Sequence, residues 1–555
     1  MISARFQAFG LILFGLSWLG FNHHRPWVNF HSESLACAGL VALTAGVLLQ
    51  RNVALAWPTI GRWVLLVALA PWAWWALGIG LFAGDALITS MYILALAASM
   101  VVGYQWARSP GPWVTALAWV TTVVAILSAA IGLLQWLDLS EAFTVYVVQA
   151  TSGDRAMGNL GQPNQLGTLL LMGMAALLML FETRKLGGEA FAVCVAFLTL
   201  VLALTQSRAG LLSSAVVTVF LLYKSSHLVR LKRGPLLGWA LSVLFLFASV
   251  PVVNGWLMLG EGRGVAGLSH TADRMELWRQ VVAGIAHAPW LGYGWNQTTT
   301  AHAFGALDAP GTLTYSYAHN IVLDLMAWTG IPMGLLLTGL MAWWLWSRIR
   351  MAVSPIAVAA LAALLPVAVH SLVEYPNAYA YFLILAGLLI GVVEATHPGA
   401  HAVPLRRKWA WALVLPCAGI GAYVCYEYVL IEEDFRIVRF ENMRIGKTPV
   451  QYEVPDVWMI SHMAEMLHAA RVRPAPGMMA SEIERLRKVA MRFSWGVLHL
   501  RYSYALALNG DPQGAAREMR RIQAIFGEQL FQAGMQQLRD LQQEHPEVRA
   551  TLSLL

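Results

Sequence analysis

The sequence predicts an all-α polytopic membrane protein of about thirteen transmembrane helices (12–14), and three observations carry that prediction. Hydrophobic residues fill 58% of the 555 positions and charged residues 12%, about half the ~25% charge of a soluble domain. Apolar runs long enough to cross a bilayer, about 17–25 residues each, recur through the first 430 positions. Lys and Arg are divided so unevenly between alternate loops that they set an orientation.

Taken in order, the runs cover about 5–21, 35–50, 63–83, 87–105, 113–137, 164–182, 189–206, 209–223, 236–255, 320–346, 355–370, 377–396 and 409–430. The first follows Arg5 and lacks a small-residue cleavage site before Asn22-His23-His24-Arg25, so it reads as a retained span and not a cleaved signal. Cys37, Cys194, Cys417 and Cys425 lie inside these runs as small polarizable core residues, without the spacing of a disulfide framework or a metal knuckle.

With the N-terminus cytoplasmic, the inner loops hold Arg5, Arg51, Arg62, Arg108, Arg184, Lys185, Lys224, Arg230, Lys232, Arg233, Arg348, Arg350, Arg406, Arg407 and Lys408. Against these fifteen, the opposite short loops hold only Arg25, Arg155 and Arg208, and the long loop 256–319 holds Arg263, Arg274 and Arg279. An odd number of spans then places the tail, with its other sixteen positive residues, outside. The net charge of +7 is spread over loops and tail, with no basic stripe interleaved by aromatics, which argues against nucleic acid as a partner.

Two domains follow: a membrane domain, 1–430, that includes the external loop 256–319, and a helical external domain, 431–555. Loops as long as 138–163 and 256–319 are usually functional. In the tail, Ser481 and Glu484 have the spacing of a capping box ahead of an amphipathic run to Arg492. Leu498–Leu508, the turn Asn509-Gly510-Asp511-Pro512 and a helix from Gln513 to about Phe526 resemble one tetratricopeptide-type hairpin, and fit a plain helical bundle equally.

Four polar constellations interrupt the apolar pattern. Arg155-Ala156-Met157-Gly158-Asn159-Leu160-Gly161-Gln162-Pro163-Asn164-Gln165 leads into a span, with amides able to grip sugar hydroxyls as donors and acceptors; its plainer reading is a capped helix entrance. Thr205-Gln206-Ser207-Arg208-Ala209-Gly210 breaks two runs too close for an ordinary loop, and an arginine at membrane depth is an anion ligand unless it only snorkels to the interface. The long loop carries Asp273-Arg274-Met275-Glu276-Leu277-Trp278 and then Tyr315-Ser316-Tyr317-Ala318-His319-Asn320. His319 suits proton abstraction near neutrality, or is simply interfacial. His370-Ser371-Leu372-Val373-Glu374-Tyr375-Pro376 gathers an imidazole, a carboxylate and a phenol that orient an acceptor or close a turn.

Together these segments resemble the superfamily of bacterial O-antigen ligases and protein O-oligosaccharyltransferases, and most closely the protein-glycosylating PglL kind. The resemblance is carried by Gly158–Asn164, Ser207–Gly210, Arg274–Trp278, Ala318-His319-Asn320 and His370–Pro376, and covers nearly the whole chain. Arg25-Pro26 with Phe30 and Glu33, and the extended external tail, resemble the same branch. It implies an inner-membrane enzyme that moves an oligosaccharide from undecaprenyl-pyrophosphate to Ser or Thr hydroxyls of pilin-like or other periplasmic proteins, with active site and C-terminal domain in the periplasm.

The residue chemistry agrees with that implication. Developing pyrophosphate charge needs cations, which Arg208 and Arg274 supply, with Arg155, Asn159, Gln162 and Asn164 holding donor phosphate and glycan. His319 takes the hydroxyl proton, and His370, Glu374, Tyr375 and Tyr317 support the acceptor side. No Asp-x-Asp signature stands near the external loops, so no metal and no cofactor is expected and the arginines replace a divalent cation. One in-line displacement inverts the anomeric carbon. The alternatives are a ligase acting on lipid A-core, a glycan polymerase, and a transporter of the lipid-linked glycan; the last should place charge inside the bundle on both faces, whereas here it gathers on one.

Overall fold

The computed structural model describes residues 1–21, 23–51, 53–109, 111–149, 155–259, 270–311, 313–397, 402–449 and 452–555, with main chain only at 270–272. Asn22 of the polar N-terminal stretch and Arg263 of the long loop lie outside the described residues. The described chain is helical apart from a two-stranded antiparallel ribbon of Ala56–Pro58 with Ala402–Pro404. Among the described residues, six helices are long and apolar enough to cross a membrane: Phe30–Leu48, Ala83–Arg108, Trp113–Trp136, Pro163–Glu182, Arg233–Trp256 and Arg407–Met443. Among the same described residues, the shorter apolar helices are Ile2–Ser17, Gly188–Leu204, Arg208–Tyr223, Pro355–Ser371 and Ala380–Thr396. The four cysteines are free thiols.

Two expected spans are broken. The run 63–83 forms Thr59–Val67 and Ala70–Ala76, because Pro71 in the first turn of the second helix has no N–H to continue the first. The run 320–346 stops at Thr329 and resumes at Ile331. Gly330 sits between at φ 84°, where an added Cβ would lie 2.2 Å from the Trp290 carbonyl oxygen, so only glycine fits. The capping box also shifts: the helix Ala480–Arg492 begins ahead of Ser481. It is Glu482 that reaches back to the Met479 N–H (3.1 Å), while Glu484 pairs with Arg487 one turn on.

The chain divides into two compact units, the first of residues 1–68, 91–267 and 342–421, the second of 69–90, 268–341 and 422–555. In the first, Pro163–Glu182 is the central helix: 89% of its apolar window is buried, against 17% for Arg233–Trp256 at the periphery. Two sets of polar contacts between segments stand apart from each other. One joins 48–58 to 402–407 through the ribbon and through Arg407, which donates to the carbonyls of Leu48 (2.7 Å), Gln50 and Val53. It also joins Glu182 to the N–H groups of Val229 and Leu231 (both 2.7 Å) and Lys224 to the Arg350 carbonyl (3.0 Å). The other set joins the segments around 19–23, 146–148, 155–168, 205–207 and 370–374.

The second unit contains the helices His270–His287 and Thr298–Gly305, the half-span Ile321–Thr329 and the C-terminal helices. Gly496–Leu508 and Pro512–Phe526 form a hairpin over Tyr504, Ala507, Ala515, Met519 and Ile522, and Phe531, Met535 and Leu538 of Glu528–Glu544 extend that core. Asp511 caps the second helix by accepting from the Gly514 N–H (2.8 Å). Buried Asp85 accepts a bidentate pair from Arg492 (both 2.8 Å) and a bond from Gln297 (3.2 Å).

Candidate functional site

The predicted site residues fall into two groups, one in each unit. In the first unit Asn164, one residue into the central helix, is the hub. Its Oδ1 accepts from the Ser207 hydroxyl (2.7 Å) and from Arg155 Nη2 (3.4 Å), and its Nδ2 donates to Glu374 Oε1 (3.2 Å). Arg155 Nε also donates to the Thr205 carbonyl (2.7 Å), which fixes the guanidinium across the 205–207 break. Ser207 is fully buried and caps Arg208–Tyr223 by accepting from the Gly210 N–H (2.9 Å). Arg208 therefore begins its helix from a fixed cap and stands exposed.

One turn down the central helix, the Thr168 hydroxyl donates to the Asn164 carbonyl (3.1 Å) and lies 2.9 Å from His370 Nδ1. The carbonyl and the imidazole compete for one hydroxyl proton, so the tautomer of His370 decides whether Nδ1 donates to Thr168 or accepts from it. His370 is fully buried and Glu374 nearly so. Tyr375 stacks on Tyr379 (5.8 Å between rings), which stacks on Tyr381 (5.6 Å), whose hydroxyl donates to Gln165 Oε1 (3.0 Å). Burial raises the Tyr375 phenol above its ordinary value.

Asn159 and Gln162 differ in use. Asn159 is buried and its amide is fully engaged: it accepts from the Val148 N–H (3.1 Å) and donates to the carbonyls of Leu19 (3.0 Å) and Tyr146 (2.8 Å). It braces the loop. Gln162, half-buried at the N-cap of the central helix, makes no side-chain cap. Glu33, flagged in the N-terminal segment, is buried and accepts from Trp27 Nε1 (3.0 Å) and from the Tyr92 hydroxyl.

In the second unit His319 is half-buried at φ 53°. A left-handed non-glycine residue costs about 1–3 kcal/mol and needs a frame that over-determines it. The frame is present. The Ala318 N–H donates to Asp324 Oδ1 (2.8 Å), the Ala318 carbonyl accepts from Trp278 Nε1 (2.9 Å), and Asn320 caps the next helix through Val322 (2.9 Å) and Leu323 (3.3 Å). Tyr315 meets the imidazole edge-on at 5.4 Å. Arg274 lies one turn before Trp278 on the same helix face, so the helix that pins Ala318 also presents Arg274. Tyr317 is half-buried, edge-on to Trp328 at 6.5 Å.

Asp324 was not among the residues expected at the site. It is buried, accepts also from the Thr298 hydroxyl (2.6 Å), and is close enough to His319 for their charges to interact. Its signal in the sequence was an acid inside an apolar run. Deeper in the same unit the buried His302 shares a hydrogen bond with Gln280 Oε1 (2.8 Å). Burial, with the His499 imidazole adding, pushes His302 down to about 4.

Comparison with known proteins gives a consistent result. Residues 192–338 match the family model described as O-antigen ligase, 156–181 that of protein glycosylation ligase, and 358–539 that of the C-terminal part of virulence-factor membrane-bound polymerase. Among curated relatives, a general O-oligosaccharyltransferase of Acinetobacter baylyi is 27% identical, covering 96% of this chain and 93% of its own length. A ComP-specific O-oligosaccharyltransferase of the same organism is 25% identical over 75% of this chain and 76% of its own.

Proposed function

Since the chain belongs to the O-antigen ligase family as an O-oligosaccharyltransferase of the PglL kind, we propose that it moves a preassembled glycan from undecaprenyl-pyrophosphate to Ser or Thr hydroxyls of pilin-like or other periplasmic proteins. The observation that carries this reading is the seam around Asn164. It fixes Arg155 against the 205–207 break and starts the helix of Arg208 from a buried cap, which suits two guanidinium groups to a pyrophosphate whose charge grows as the glycosidic bond breaks. Gln162 and Asn164 serve the glycan, Asn159 braces their loop, and Arg274 adds positive charge on the donor side.

His319 takes the acceptor proton as oxygen attacks the anomeric carbon, with inversion and without a metal ion. Its half-buried position supports that role over the enclosed His370, which orients Thr168 and Asn164. Asp324 is the positioning residue of His319, holding the Ala318 peptide and offsetting charge on the imidazole. Glu374, Tyr375 and Tyr317 complete the acceptor side.

The finer topology belongs to the same proposal: about thirteen crossings, including the short apolar helices, the N-terminus cytoplasmic, and 431–555 a periplasmic domain beside the membrane domain 1–430. The two sets of polar contacts in the first unit support it, because the ribbon, Glu182 and Lys224 set unites only segments assigned to the cytoplasm and the Asn164 set only segments assigned outside. Protein acceptors are favoured over lipid A-core because both relatives are named for O-oligosaccharyl transfer and one is named for a specific protein. Purified protein given lipid-linked glycan with either a pilin-type peptide or lipid A-core decides: glycan on the peptide is expected, and glycan on the lipid alone overturns the acceptor.

A further inference from the structure

The helix Thr298–Gly305 of the second unit opens with four buried polar residues, Gln297 at the N-cap and then Thr298, Thr299 and Thr300. Consecutive β-branched threonines are poor helix formers, and a buried hydroxyl is costly without a partner, so neither helix formation nor apolar packing accounts for the run. Their hydrogen bonds do. Successive residues of a helix point about 100° apart, and here the hydroxyls divide between two directions.

Thr298 turns toward the segment of His319. Its hydroxyl donates to Asp324 Oδ1 (2.6 Å) and accepts from Trp328 Nε1 (2.7 Å), and the same Asp324 oxygen accepts the Ala318 N–H (2.8 Å) next to His319. One turn on, His302 meets the Tyr315 ring edge-on at 6.5 Å, and Tyr315 in turn meets the His319 imidazole.

Thr299 and Thr300 turn to the end of Ala480–Arg492, where the last carbonyls of a helix lack donors of their own. The Thr299 hydroxyl donates to the Arg492 carbonyl (3.0 Å), and that of Thr300 lies 3.3 Å from the Met491 carbonyl. The Arg492 side chain, paired with Asp85, shares that carboxylate with Gln297. Near the far end of the short helix Arg521 Nε donates to the Ala303 carbonyl (2.8 Å), and Ala303 and Ala306 share an apolar cluster with Met491 and Ile525. The C-terminal helices thus grip Thr298–Gly305 at both ends, and the hydroxyl left outside the grip is the one bonded to Asp324. We propose that Thr298 is a positioning residue for His319 and that the C-terminal helices set it through Arg492 and Arg521, which makes 480–526 part of the transfer machinery; the proposal rests on the glycan-transfer reading above.

The test uses full-length protein in detergent micelles with lipid-linked glycan and a pilin-type peptide. Turnover is expressed per mole of bound donor, so that misfolded protein drops out, and deuterium exchange follows the amides of 318–324. Thr298→Val keeps the shape and removes the hydroxyl. Loss of a hydrogen bond to a carboxylate should speed exchange there about tenfold, and a displaced base should cut turnover at least about tenfold with both KM values within about twofold of wild type. Thr298→Ser, which restores the hydroxyl, should return both readouts close to wild type. Arg492→Lys should move them in the same direction, and combined with Thr298→Val should add little, because the two act along one path. Exchange of 318–324 or turnover per bound donor unchanged in Thr298→Val overturns the proposal, and so do losses that simply add in the double variant. An exchange increase of equal size over 496–526 overturns it too, since Thr298 would then be a general brace. Wild type that transfers glycan to neither the peptide nor lipid A-core sinks the functional reading instead, and the exchange measurements then still judge the grip on the His319 segment.

Discussion

Asn164→Asp keeps the shape of the hub and its accepting oxygen but replaces the N–H given to Glu374 with a second carboxylate oxygen. At an effective dielectric of ~20, unit charges 3.2 Å apart repel by about 5 kcal/mol, and a carboxylate 3.4 Å from the Arg155 guanidinium gains nearly as much. The two terms almost cancel, so the variant should fold. Its Arg155 is then neutralised by the new carboxylate, and the formal charge of Arg155 and Arg208 less Glu374 falls from +1 to 0. A hydrogen bond to a charged group contributes about 1.5–3 kcal/mol, so the donor KM should rise about 10–100-fold, with a smaller change in kcat. Adding Glu374→Gln returns the charge to +1 and should recover most of the loss. Steady-state transfer, with thermal unfolding in parallel, reads both variants. A single variant whose donor KM stays within twofold of wild type, or a double variant that recovers nothing, refutes the charge argument.

Three further outcomes follow from the same geometry. Arg208→Lys should depress transfer nearly as far as Arg208→Ala in a protein that still folds, because an ammonium does not reproduce a bidentate guanidinium contact with phosphate; near-wild-type turnover in the lysine variant would reduce Arg208 to a boundary residue. His319→Ala should cut transfer by about 10²–10⁴-fold with donor binding retained, and the base is misassigned if it transfers normally while His370→Ala does not. A histidine held near 4 in the fold against ~6.5 unfolded stays neutral in the native state, so the unfolded chain takes its proton first as pH falls. His302 should therefore withdraw up to about 3 kcal/mol between pH 6.5 and 4; thermal unfolding across that range should flatten in His302→Gln, and an unchanged pH slope would remove His302 as the cause.

The apolar runs were legible because lipid imposes length and composition on each helix separately. The pairings were not. Asn164 and Glu374 are 210 positions apart, and each looked only like a polar residue in an apolar neighbourhood. Asn159 read as a sugar ligand because its partners, the carbonyls of Leu19 and Tyr146, have no side-chain signature. The breaks at Pro71 and Gly330 were visible as residues but were outvoted by hydropathy. The capping box slipped because Glu482 and Glu484 both offer acceptable spacings, and the chain direction before Met479 chooses between them. Asp324 was visible only as an acid in an apolar run, without the Ala318 peptide that gives it a use.

The order of synthesis lends the Asn164 hub a meaning beyond its chemistry. The central helix emerges from the ribosome long before Pro355–Ser371, so the amide of Asn164 and the hydroxyl of Thr168 reach the membrane some 200 residues ahead of Glu374 and His370. Until that late helix arrives, the amide and the hydroxyl lack these two partners at the entrance of the central helix. A chain halted before residue 355 would already carry Arg155, Ser207 and Arg208 around the amide but lack Glu374 and Tyr375 of the acceptor side, so the donor half of the site is made before the half that would use it.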